Sequence, residues 1–69
     1  MPRPEEIGKK IKELRSKMGY TQRDLADLAG TTVAAIGNYE AGVRVPRDSI
    51  KIQIAKALNT TVEKIFFAK

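Results

Sequence analysis

Six polar residues stand out by where they fall: Thr21 and Gln22 at the start of one short apolar-periodic stretch, Thr32 at the start of the next, Asn38 within it, and Arg44 and Arg47 just beyond. Hydroxyl, amide and guanidinium groups bind by hydrogen bonding and charge. With no histidine and no cysteine among 69 residues, thiolate nucleophiles, disulfides and zinc fingers are excluded. No paired carboxylates fall in an apolar pocket pattern, so the chain reads as a binder and not an enzyme. No cofactor, metal or small-molecule ligand is expected. Thirteen Lys and Arg against eight Asp and Glu give a net charge of +5, which suits either a polyanionic partner or a surface kept soluble by lysine. The positions of the charges must decide between these.

The elements that position these groups follow from periodicity and punctuation. Pro2 and Pro4 keep Met1 to Pro4 an extended arm, and Pro4, Glu5 and Glu6 suit a first helical turn. A first helix should run to about Met18 with Ile7, Ile11, Leu14 and Met18 as its apolar stripe and Gly19 as terminator. Thr21 is a good N-cap for a second helix, with Asp24 closing a capping-box-like pair. Leu25, Ala26 and Ala29 form its inner face, and Gly30 can take the positive φ that ends it. Thr32 should cap a third helix that runs to about Ala41 and stops at Gly42, with Ile36 and Tyr39 inward.

Gly42 and Pro46 make the following stretch a loop that carries Arg44 and Arg47. The run DSIKIQIAKALN is ambiguous by period, since Ile50, Ile52 and Ile54 alternate as in a strand whereas Ile50, Ile54, Ala55 and Leu58 share a helical face. A helix capped by Asp48 or a neighbour is expected, because AKAL favours helix and no second strand exists to pair. Asn59 suits a left-handed helix end, and Thr61 should cap a last helix with Val62, Ile65 and Phe66 inward. The reading is an all-α, compact five-helix domain over residues 1–69, with residues 1–4 as a flexible arm. A chain this short buries only about 60% of its unfolded surface. No apolar run approaches the roughly 20 residues of a membrane span, and no signal-peptide core is present, so a cytoplasmic location without membrane contact is expected.

The spacing Gln22, Leu25, Ala26, Ala29, Gly30, Ile36, Tyr39 resembles the helix-turn-helix of the phage repressor and Cro family, the XRE-like regulators. The segments IGKKIKELR, TQRDLADLAG, IGNYEAG, IAKALNTT and EKIFF follow that family's order from Ile7 to Phe67. The resemblance implies a lambda-repressor-like fold in which the third helix enters the DNA major groove. With Ile36 and Tyr39 inward, the face toward the bases would hold Val33, Ala34, Gly37 and Asn38. Lacking Lys and Arg, that face could offer methyl contact to thymine from Val33 and Ala34 and hydrogen bonding from Asn38 to adenine, hence an A·T-leaning half-site. Val33 stands where the family usually has a polar base reader. Gly37 could let the backbone approach the bases closely, or be without consequence.

Gln22 opens a helix whose free N–H groups favour a phosphate, and the family uses a glutamine there to clasp the DNA backbone, often with the residue matching Thr21. Thr32, Arg44 and Arg47 are further phosphate candidates, since this loop runs along the phosphates in relatives. Lys17 and Arg3 are additional basic candidates. Arg15 and Glu40 match two family positions that often form a partly buried ion pair beside the DNA. Ile52 and Phe67 are left over once a small core is filled; relatives commonly dimerise near this end, although Phe67 could instead fold back onto its own core. The function implied is a double-stranded-DNA-binding transcription regulator, a repressor acting as a homodimer on a two-fold operator. The competing reading is an antitoxin or protein-interaction module that uses the same fold to bind a regulatory protein partner.

Overall fold

The computed structural model describes residues 2–67; Met1 of the expected arm lies outside them. Five helices follow in order: α1 Pro4–Lys17, α2 Gln22–Ala29, α3 Val33–Glu40, α4 Asp48–Ala57 and α5 Val62–Phe66. Among the described residues all regular structure is helical, and no helix is long and apolar enough to cross a membrane. Helix α3 packs against α1 and α2, while α4 packs against α2 and α5. Ile7, Ile11, Leu25, Ile36, Ile54, Ile65 and Phe66 are fully buried where these helices meet.

Local chemistry sets most of the boundaries. Thr21 Oγ1 accepts from Asp24 N at 3.0 Å while the Asp24 carboxylate accepts from Thr21 N at 2.9 Å, so both orphan donors are satisfied. Thr32 Oγ1 accepts from Ala35 N at 3.0 Å, and Thr61 Oγ1 from Lys64 N at 3.2 Å. Gly30 ends α2 at φ 70°, and Thr31 N returns to Ala26 O at 2.9 Å across the turn. Asn59 takes φ 56° after α4.

One expectation needs correction. Met18 is exposed, because α1 ends at Lys17 and Gly19 (φ 75°) sends the chain back so that Tyr20 N bonds Arg15 O at 3.1 Å. The N-cap of α4, expected at Asp48 or a neighbour, is Arg47, which provides no side-chain cap bond. Asp48 lies inside the first turn, where its carboxylate faces the helix dipole and pairs with Lys51 Nζ at 3.5 Å. On α3, Val33 packs partly against the core, since it lies one turn before Ile36 and so on the shoulder of the inward face. Ala35, unmarked by the sequence pattern, is buried.

The strand-or-helix ambiguity of the Ile-rich run resolves as helix. Ile54, Ala55 and Leu58 are buried, Ile50 packs partly against the core, and Ile52 is exposed.

Candidate nucleic-acid interface

The α2–turn–α3 unit presents one side of α3 outward. Ala34 is exposed, and Gly37 and Asn38 are half-buried. A Cβ added at Gly37 would meet nothing within 4 Å, so the glycine leaves a shallow opening in the helix surface. Among the described residues the Asn38 side-chain amide makes no internal hydrogen bond. Its main-chain carbonyl is occupied, accepting from Val43 N at 3.0 Å and Arg44 N at 3.3 Å. This backbone bond ties the Arg44 loop to the helix.

Behind α3 lies a polar network. Arg15, on α1, donates from Nε to Glu40 Oε2 at 2.6 Å and from Nη2 to Oε1 at 3.1 Å, while Nη1 donates to Tyr20 O at 2.8 Å. Gln22, on α2, donates from Nε2 to the same Glu40 Oε1 at 3.1 Å. One carboxylate therefore joins α1, α2 and α3. The hydrogen bond to Glu40, opposed by burial and aided by Coulomb attraction, raises the Arg15 pKa above its ordinary value, so the guanidinium stays charged.

Close approach of α1 to α3 depends on Gly8, which sequence reading overlooked: a Cβ there would overlap the carbonyl oxygens of Tyr39 and Glu40. No local signal marks such a glycine, because it lies inside a good helical pattern.

Arg44 and Arg47 are exposed and line an open cleft of about 370 Å³ with Thr31, Thr32, Tyr39 and Ser49. Thr21 and Gln22 lie at the other end of the unit, at the start of α2. Arg3 is exposed and near Glu5, 3.4 Å away. On a separate side, Ile52 and Phe67 are 45% and 49% exposed. They share a groove of about 290 Å³ with Val62, Asp48 and Lys51, and Lys51 Nζ lies 5.5 Å from the Phe67 ring centroid and 5.6 Å from that of Phe66. Phe67 therefore does not fold into the core.

Residues 11–65 match the HTH_3 helix-turn-helix family. The chain belongs to the helix-turn-helix transcription regulators. This regulator is 38% identical over 61 residues to a competence pilus inhibition repressor of Acinetobacter baylyi, covering 88% of the chain but only 56% of that relative. It is 34% identical over 58 residues to YgzD, an uncharacterized HTH-type transcriptional regulator of Bacillus subtilis, covering 84% of this chain and 88% of that one. The fold superposes on the restriction-modification controller protein C.AhdI from Aeromonas hydrophila with TM-score 0.87 and 28% identity, covering 91% of this chain and 96% of that one. The regulator is accordingly a DNA-binding protein and not an enzyme.

Proposed function

We propose that residues 1–69 form one DNA-binding domain that acts in the cytoplasm as a repressor, two copies occupying a two-fold symmetric operator with α3 of each in the major groove. The observation that carries this reading is the pairing on α3 of an uncommitted face with an anchored basic loop. Ala34, Gly37 and Asn38 meet base edges, with Val33 touching them from the shoulder of the helix. Arg44, held to Asn38 through the main chain, and Arg47 contact phosphates. Thr21, Gln22 and Thr32 serve the same backbone from the helix starts. The face carries no arginine to read guanine, so the half-site leans to A·T.

A two-fold site calls for two copies. The longest Cα extent of the molecule is 27 Å, shorter than the about 34 Å that separates successive half-sites on one face of DNA. Ile52 and Phe67, half-exposed in one groove, offer an apolar surface to a second copy. The repressor role is supported by the competence repressor among its relatives, of which this chain spans little more than half.

The test is selection of bound duplexes from a random pool, followed by affinity at two salt concentrations. The expected result is an A·T-leaning two-fold site with half-sites about one helical turn apart and a large advantage over random DNA. Weak binding that falls steeply with salt and enriches no sequence would overturn the reading. It would favour a module that binds a different protein through the Ile52 and Phe67 surface.

A further inference from the structure

One polar group near α3 is used neither by the fold nor by the contacts above. Tyr39 is 4% exposed and its ring belongs to the core, yet it also lines the cleft between the starts of α3 and α4. Among the described residues its hydroxyl makes no hydrogen bond. No wholly buried side-chain polar atom there lacks a partner, so the small exposed part of Tyr39, a residue that lines the cleft, includes its hydroxyl. The core could be filled by an aromatic ring without that group; a nearly buried O–H needs a partner.

The other polar side chains of the cleft are all donors, set beside Gly30, Ala35 and Ile50. Thr31, Thr32, Ser49, Arg44 and Arg47 line it, and no carboxylate does. Helix α4, ten residues long, begins there without a side-chain cap. The N–H groups of Ile50 and Lys51 return to the Arg47 carbonyl at 3.0 and 2.9 Å, whereas those of Asp48 and Ser49 precede the ladder. The Asp48 carboxylate, the nearest negative charge in sequence, is paired with Lys51 in the opposite groove. Hydroxyls, two guanidiniums and a positive helix end around one uncommitted phenol suit a singly charged oxyanion.

We propose that this cleft seats one DNA phosphodiester in each half-site, with the Tyr39 hydroxyl donating to a non-bridging oxygen beside Ser49 and Arg47. The assignment rests on the DNA-binding reading above and deepens it. Helix α3 then reads bases with one face and holds the backbone with another, so that Tyr39 fixes the depth at which Asn38 meets the groove.

The experiment compares Tyr39→Phe and Ser49→Ala with the unmodified chain on its selected operator, together with phosphate-ethylation interference. Tyr39→Phe should fold with an unchanged or higher thermal midpoint and lose about tenfold in affinity. Its salt slope should not change, because a neutral hydroxyl releases no counterion. One ethylated phosphate per half-site that blocks the unmodified chain should cease to matter for Tyr39→Phe, and Ser49→Ala, an exposed change, should weaken the same position. Full affinity with an unaltered interference pattern in both variants would overturn the assignment and leave DNA binding standing. Absence of any selective binding by the unmodified chain would remove both.

Discussion

Gln22 donates from Nε2 to Glu40 Oε1 at 3.1 Å, so the glutamine that opens α2 is held by the carboxylate that also binds Arg15 twice. The side chains of Arg15 and Glu40 are only 13% and 5% exposed. Removing the charge of Glu40 would leave a buried guanidinium without its counter-ion, which costs far more than the net worth of the pair. Glu40→Gln should therefore lower stability by about 2–4 kcal/mol, and Gln22→Ala by about 1 kcal/mol. Urea denaturation checks both, and a Glu40→Gln midpoint equal to that of the unmodified chain would remove the network's structural role.

The same pair fixes a pH dependence. Arg15 has its pKa raised in the folded state, so its contribution to stability is fully present below the unfolded value and is lost only as pH climbs past the raised one, in strongly alkaline solution. The chain also has no histidine. Between about pH 6 and about pH 9 the denaturation midpoint should stay flat, and a step in that interval would contradict this assignment.

How far the sequence reveals these features depends on their range. Thr21, Thr32 and Thr61 as caps, and Gly30 and Asn59 at left-handed φ, are legible because each acts on residues three or four positions away. The interior position of Leu25, Ile36 and Ile54 follows from periodicity. Gly8 could not be found this way, since what it makes room for is the backbone of residues 39 and 40. Lys51 was equally hidden: it lies between two isoleucines in sequence, yet is 8% exposed, with its ammonium over the Phe66 and Phe67 rings and beside Asp48. The resemblance to a known family supplied candidate contacts, but not that Gln22 is engaged by Glu40 or that the Tyr39 hydroxyl has no hydrogen bond among the described residues.

Gly8 and Gly37 should respond oppositely to alanine. At Gly8 the added methyl would push α1 away from main-chain carbonyls that cannot swing aside, at about 1–3 kcal/mol. At Gly37 it would enter open space in a helix interior, where alanine is favoured by up to about 1 kcal/mol. If the DNA backbone or a base edge uses that opening, Gly37→Ala will be more stable yet bind its operator more weakly. Thermal melts and operator titration on the two variants separate fold from recognition, and equal stability losses would refute the contrast.

Asn38 and Arg44, joined through one main-chain bond, should still fail in different ways. Asn38→Ala should relax discrimination at one base pair by about 1–3 kcal/mol and leave non-specific affinity alone. Arg44→Ala should weaken binding to every sequence alike and flatten the salt slope by about one per lost phosphate contact. Titrations across operator variants at several salt concentrations check this. A loss confined to one sequence for Arg44→Ala, or an unchanged base preference for Asn38→Ala, would reverse the assigned roles.

Ile52 and Phe67 provide the test of self-association. Each is about half exposed, so covering the remainder contributes about 1 kcal/mol per side chain, and a two-fold interface uses each residue twice. Ile52→Ser with Phe67→Ser should then raise the dimer dissociation constant by at least about a hundredfold. Lys51, pinned by Asp48 and by the Phe66 ring, should keep α4 on α5, so the monomer's thermal midpoint should move little. Sedimentation equilibrium reads the first effect and calorimetry the second. On DNA the variant should fill the two half-sites independently where the unmodified chain fills them together. Unchanged association of the double variant would place the dimer contact elsewhere and leave this groove to a different protein.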